Sequence, residues 1–206
     1  MQQRTTVLSA SLALVLLFGP SVARAQYQVT NLVSNQEKTA KVTDPLLANA
    51  WGLVYPPNGP FWISDNTSGW STLYDANGTK VPLNVLIPTA GGDGPGTPTG
   101  IVFNGSADFK IRGSATVFLF ATLDGTISGW APALNRDAAI RKAAVPGASY
   151  TGLAISSNAS GNVLLAADNA NNKVDIYDGT FKLVKSFTDT TLPAASLPSA
   201  FRTSAA

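Results

Sequence analysis

Short apolar stretches, each broken within a few residues by Gly, Pro, Asn or Asp, run through most of the chain, a texture of strands and tight turns. The pattern is clearest from Trp51 to Asp75, WGLVYPPNGPFWISDNTSGWSTLYD. Ala50 to Tyr55 reads as a first strand. Pro56-Pro57-Asn58-Gly59-Pro60 then forces a turn, since neither a helix nor a central strand tolerates that density of proline. Phe61 to Ser64 is a second strand, Asp65 to Gly69 a turn, and Thr72 to Tyr74 a third strand. Asp75-Ala76-Asn77-Gly78 carries the Asn-Gly hairpin signal. Val81 to Ile87 follows as a fourth strand, with Pro82 placing it at a sheet edge. Upstream, Tyr27 to Leu32 (YQVTNL) alternates apolar and polar residues and predicts a half-buried strand, whereas Asn35 to Asn49 is polar and irregular.

The four-strand unit recurs. Thr99 to Phe103, Ala115 to Thr122 and Thr126 to Trp130 repeat its first three strands, with a turn at Asp124-Gly125. Asn135 to Val145 has the composition of a helix, but its place in the repeat predicts a fourth strand near Ala139 to Val145. Thr151 to Ile155, Asn162 to Ala167, Val174 to Asp178 and Leu183 to Phe187 form a third copy, turning at Asp168 to Asn172. Each copy puts a Gly-aliphatic step in its first strand (Gly52, Gly100, Gly152) and an Asp after its second (Asp65, Asp124, Asp168). A four-strand repeat of about 50 residues predicts radial repetition: an all-β chain, a β-propeller with one blade per copy. Gly91-Gly92-Asp93-Gly94-Pro95-Gly96-Thr97-Pro98 lacks the lysine and following helix of a phosphate-binding loop and reads as an inter-blade connection.

Both ends of the chain depart from this pattern. Arg4, the apolar run Val7 to Phe18 and Ala23-Arg24-Ala25 have the layout of a secretory signal peptide cut after Ala25. As a helix that run would rise only about 18 Å against a hydrocarbon core of about 30 Å. The expectation is an exported protein, periplasmic or extracellular, with no membrane span. At the other end, Thr190 to Ala206 lacks alternation, aromatic anchors and an Asp turn. It reads as an irregular tail, disordered or frameshifted, after a propeller domain at 26–189. About three to four blades fit there, and closure typically takes four to eight, so the expected domain is incomplete and open to self-association through its blade edges.

Charge and missing residue types narrow the chemistry. Losing Arg4 and Arg24 brings the 14 basic side chains level with the 12 acidic ones. No Lys/Arg cluster remains to recognise nucleic acid or an anionic membrane. Without Cys or His, the chain has no thiol nucleophile, imidazole base or thiolate- or imidazole-bound zinc. Carboxylate, Lys or Tyr chemistry, or an oxygen-ligated cation such as calcium, is what the residue types permit.

The segments AWGLVYPPNGPFWISDNTSGWSTLYDANG, PTGIVFN, FLFATLDGTISGWAP and AADNANNKVDIYD resemble a family of uncharacterised exported bacterial proteins, itself similar to NHL-type six-bladed β-propellers. The resemblance runs from about Asn31 to Asp189 and implies the N-terminal part of such a propeller, with no catalytic residues to carry over. Calcium-dependent lactonases and streptogramin-lyase-type enzymes are more distant six-bladed relatives. Their metal-ligand signatures are not visible in this chain, and the histidine of the lyase type is excluded by composition.

In a propeller, second-to-third-strand turns and blade-joining loops open on one face. That would gather Asp65, Asn66, Asp93, Asp124, Asp168 and Asn169 at one end of the central channel, as ligands for calcium or contacts for a polar small molecule. The competing reading is that these side chains build the turns themselves. Trp51 and Trp62 lie within strands and read as core; Trp70, in a polar turn, is the aromatic contact candidate. Three readings follow: a ligand- or partner-binding scaffold using the loop face, a calcium-dependent hydrolase or lyase of the lactonase kind, or, given the tail, a truncated fragment without function.

Overall fold

A computed structural model describes residues 27–188. The signal peptide expected at residues 1–25 and the tail at residues 190–206 lie outside them. All regular structure among the described residues is strand: β1 (Val33–Ser34) pairs in parallel with β2 (Val42–Thr43), and three four-stranded antiparallel sheets follow. Blade one is β3 (Ala50–Val54), β4 (Phe61–Asp65), β5 (Trp70–Tyr74) and β6 (Lys80–Leu86), adjacent in chain order. Blade two is β7 (Pro98–Phe103), β10 (Phe118–Thr122), β11 (Thr126–Trp130) and β12 (Ile140–Ala144). A small hairpin, β8 (Lys110–Ile111) with β9 (Ser114–Ala115), is inserted between its first two strands. Blade three is β13 (Tyr150–Asn158), β14 (Gly161–Asp168), β15 (Lys173–Asp178) and β16 (Leu183–Phe187). This is the expected propeller architecture, in three described blades. The Ala-rich segment near Ala139 is strand, not helix, and β6, carrying exposed Pro82, is a sheet edge.

One predicted strand is displaced. Tyr27 to Thr30 is irregular and exposed, and pairing starts only when the carbonyls of Asn31 and Leu32 accept from Lys41 and Val42. Alternation marks a strand only where a neighbouring edge takes its backbone, and the 41–43 segment meets the chain after the alternating stretch has nearly ended.

Local chemistry explains the turns. Asp75 Oδ1 accepts from the amides of Asn77 and Thr79, both at 2.8 Å, and Gly78 takes φ 80°. Asp178 Oδ1 accepts from Thr180 and Lys182 in the same way, but there Phe181 occupies the left-handed position at φ 69°. A non-glycine is unfavourable at such a φ. Phe181 is nonetheless held there, buried edge-on against Phe109. The β8–β9 hairpin turns through Arg112 (φ 47°) and Gly113 (φ 86°), the two left-handed residues of a primed turn, and delivers Phe109 and Ile111 to the core.

The blades are joined in two ways. Trp62 of blade one stacks on Phe118 of blade two, centroids 4.0 Å apart, with Trp130 at 4.8 Å. Between blades two and three, Leu119, Ile127, Tyr150, Leu164 and Tyr177 close a second apolar layer. Nearer the axis the backbones themselves touch. A Cβ on Gly52 would lie 2.5 Å from the Thr99 carbonyl oxygen, and one on Gly100 would lie 2.4 Å from the Leu153 amide nitrogen. The Gly-aliphatic step at Gly52 and Gly100 is therefore a packing device that lets one first strand lie against the next.

Gly100→Val should cost about 1–3 kcal/mol or more of unfolding free energy in urea titrations, because backbone has to move to admit the side chain. Gly92→Ala, at a position with nothing within 4 Å, should stay within about 0.5 kcal/mol of the parent chain.

Candidate functional site

Second-to-third-strand turns and blade-joining loops do share one face, as hydrogen bonds between them show. Ile87 N–H donates to Gly69 O at 3.0 Å, Ala90 N–H to Asp124 Oδ2 at 2.7 Å, and Asn171 Nδ2 to Gly147 O at 3.1 Å. One backbone bond recurs in all three blades: Asn66 N–H to Asn49 O, Leu123 N–H to Thr97 O, Asn169 N–H to Ser149 O. It aligns Asp65 with Thr122 and Asp168, the last residues of the second strands. Asp124 lies two residues further on, so the Asp repeat read from the sequence is offset in blade two, where a β-branched Thr ends the strand.

Asp65 is fully buried. Its Oδ2 accepts from the Thr72 amide at 3.1 Å and the Thr72 hydroxyl at 2.8 Å, while Oδ1 has no partner. Burial pushes this carboxyl up to about 7; the Thr72 bonds oppose that, and the negative charge of Asp44 adds to it. Asp168, also fully buried, accepts from the Ser149 amide at 3.0 Å and Asn171 Nδ2 at 2.7 Å, with Lys173 Nζ at 3.7 Å. Asp124 accepts from the Thr122 hydroxyl and the Ala90 amide. Burial alone would raise its carboxyl, but these donors outweigh it and hold the group below the usual range.

Asn66 ties blade one to blade two, its Nδ2 donating to Pro98 O at 3.2 Å and its Oδ1 accepting from Asn49 Nδ2 at 3.2 Å. Asn169, in the same position of blade three, has a buried Oδ1 without a partner. Asp93 is exposed on the Gly91–Gly96 loop. Trp70 opens β5 opposite Asp65 and Leu86 and is half-buried, so it belongs to the strand and not to the polar turn where the sequence placed it. Trp62 is core as expected, and Trp51 is half-buried.

On the loop face, Asp65, Asn66, Asp124 and Asp168 thus bond to the strand or loop beside their own turn, whereas Asp93 is exposed and Asn169 Oδ1 is unpartnered. Among the described residues no three acidic side chains converge to hold a metal ion.

Sequence reading missed two buried polar clusters. In blade three, Asp175 accepts from the Tyr150 hydroxyl at 2.9 Å and pairs with Lys173 Nζ at 2.9 Å, and the Tyr150 and Tyr177 hydroxyls are 2.7 Å apart. Burial works against ionised Asp175, but Ser186, Lys173 and Tyr150 together keep it below the usual range. In blade one, Asp44 accepts from the Tyr74 hydroxyl and pairs with Lys80, both at 2.6 Å. Lys173 and Asp175 flank a valine on one strand, a spacing that signals a shared face. At the opposite ends of the strands, Phe103, Ser106, Ile155 and Asn162 line an open cleft of about 300 Å³ between blades two and three.

The chain is similar to two uncharacterised proteins of Acanthamoeba polyphaga mimivirus. One is 30% identical over 174 residues, covering 80% of this chain and 44% of that protein. The other is 28% identical over 178 residues, covering 82% and 43%. These relatives are viral, where the sequence pointed to bacteria, and the chain spans less than half the length of either. No protein-family profile matches it. Among solved structures, a streptogramin B lyase superposes at TM-score 0.50 with 16% identity, over 70% of this chain and 42% of the lyase. A virginiamycin B lyase from Staphylococcus aureus also gives 0.50, at 14% identity and the same coverage. At those identities the likeness establishes the β-propeller fold, matched over part of the ring.

Asp65 holds its proton more tightly folded than at its ordinary 3.8. Its contribution to stability is therefore complete below that pH and is lost as pH rises through about 7. Asp65→Asn keeps an acceptor for Thr72 and cannot ionise. Urea unfolding across this window should show the parent losing up to about 1.4 kcal/mol per pH unit relative to the variant.

Proposed function

We propose that the chain is part of an exported β-propeller that works as a non-enzymatic binding scaffold, presenting its loop face to a small molecule or a protein. The observation that carries this reading is the commitment of the loop-face carboxylates. Asp65, Asp124 and Asp168 each accept from backbone amides that fix a turn or a neighbouring loop. A hydrolase or lyase of the calcium-dependent kind would instead need such carboxylates turned toward a common ion. With Asp124 and Asp168 held in this way, the face keeps the exposed Asp93 loop and the edges of the turns as its contact surface. The fold itself is neutral on the matter, since propellers serve as platforms and as enzymes alike.

Calcium separates the two readings. A site filled to 100 times its dissociation constant would stabilise the fold by about 2.7 kcal/mol. Melting temperatures with millimolar calcium and with EDTA should coincide; a calcium-dependent rise removed by Asp65→Asn or Asp168→Asn would favour the enzyme.

Export is a separate part of the proposal, supported by Arg4, the Val7 to Phe18 run and Ala23-Arg24-Ala25. Expressed in a secreting bacterial host, the protein should be recovered outside the cytoplasm with Gln26 as its first residue. A cytoplasmic product that keeps Met1 to Ala25 would refute it.

A further inference from the structure

Ser64 on β4, Ser71 on β5 and Ser128 on β11 are fully buried, and none of their hydroxyls has a hydrogen-bond partner among the described residues. A serine on a helix can return its hydroxyl to the preceding turn, but one on a strand has no such carbonyl beside it. Its partner has to come from across the strand pair or from the facing sheet. Buried hydroxyls are seldom left without one.

Strand register places the three side chains together. Trp62 of β4 packs against Phe118 and Trp130 of blade two, at 4.0 and 4.8 Å. Trp62 pairs with Leu73 across blade one, and Phe118 with Trp130 across blade two. Two residues further along β4 and β10, and two residues earlier on β5 and β11, lies the next layer toward the loop face. It pairs Ser64 with Ser71 in blade one and Phe120 with Ser128 in blade two, without a break in either register. Side chains two apart on a strand share a face. All three serines therefore line the seam between blades one and two, next to the aromatic stack.

The same layer is built differently between blades two and three. There the places of Ser64 and Ser71 are held by Ala121 and Ile127, both part of the apolar core. The place of Ser128 is held by Asp175, whose partners Tyr150, Lys173 and Ser186 come from its own blade. Each group in that layer is apolar or paired, whereas the first seam keeps three open hydroxyls.

The chemistry of the layer defines what it can hold. Each hydroxyl offers one donor and two acceptor positions and carries no charge. Asp65 and Thr72, the sequence neighbours of Ser64 and Ser71, bond to each other on the opposite face of the sheet. The occupant is thus small, neutral and able both to donate and to accept. Residues opposed on antiparallel strands have Cβ atoms about 4.5–5.5 Å apart, a separation that one water spans with two bonds of about 2.8 Å. A buried water makes about three hydrogen bonds, the number of hydroxyls gathered in this layer.

We propose that the seam between blades one and two binds a single internal water, held by the hydroxyls of Ser64, Ser71 and Ser128. The site is independent of the binding reading above, since it lies within the blade packing and not on the loop face.

The test is a crystal structure of the full chain at a resolution that shows ordered water, joined to oxygen-17 relaxation dispersion in solution, which counts internal waters of long residence. The parent should show one ordered water about 2.8 Å from each hydroxyl. A variant combining Ser64→Ala, Ser71→Ala and Ser128→Ala should show one long-lived water fewer, with its fold checked by near-ultraviolet circular dichroism of the packed tryptophans. If that variant fails to fold, the parent crystal structure decides alone. Hydroxyls bonded directly to one another or to backbone carbonyls, with no water between them, would overturn the proposal. An unchanged count of long-lived waters in the folded variant would overturn it equally.

Discussion

Everything in this fold depends on how closely the first strands of neighbouring blades approach. Where a Cβ on Gly52 or Gly100 would sit, another backbone already lies within 2.5 Å. That approach sets the depth at which Trp62 meets Phe118 and Trp130, and it brings the Thr99 hydroxyl to the Tyr150 carbonyl. The apolar layers supply most of the driving force, since burying large aromatic and aliphatic side chains is worth about 1.5–3 kcal/mol each. The glycines contribute no such area. They decide where the layers can form.

The polar residues of the loop face follow from the same geometry. Sheets packed this tightly leave little room for water near the strand ends, so amides that emerge there need acceptors from the protein. Asp65, Thr122 with Asp124, and Asp168 meet that need in three different ways at equivalent places. Asp65 does so at a cost, with one carboxylate oxygen buried and unpartnered. A side chain chosen for turn construction and one chosen for metal binding come from the same short list of residue types. Sequence alone therefore could not separate them; in the structure Asp124 and Asp168 accept from neighbouring amides, while Asp65 keeps one oxygen without a partner.

Much of the architecture was legible because period-two alternation and turn chemistry agree in this chain. Thr126 to Trp130 and Leu183 to Phe187 are strands over the very residues their patterns mark, and the Asp75 turn is the one its Asn-Gly predicts. The failures have physical causes. Lys110–Ile111 and Ser114–Ala115 are too short to show alternation, so the hairpin that delivers Phe109 went unseen. In Val174-Asp175-Ile176-Tyr177, alternation assigns the aliphatics to the inside, yet Asp175 and Tyr177 are the more deeply buried. Both faces of a middle strand in a blade are packing faces, and which is more covered depends on the neighbour, a fact no single strand contains. Asp124 matches Asp65 and Asp168 in residue identity but not in register, because the backbone bonds that end the second strands put Thr122 level with them.

Both middle strands of blade two, β10 and β11, are buried at every residue, whereas every residue of β16 is exposed. In an array whose units touch only their neighbours, stability is close to a sum of unit and nearest-neighbour terms, and opening begins at the flanks. Amide hydrogens should therefore not share one exchange rate. Those of Phe118–Thr122 and Thr126–Trp130 belong to the last part to open and set the slowest exchange, while blade three loosens first from its outer strand inward. The chain's rigidity is graded along its length, and blade two anchors that gradient.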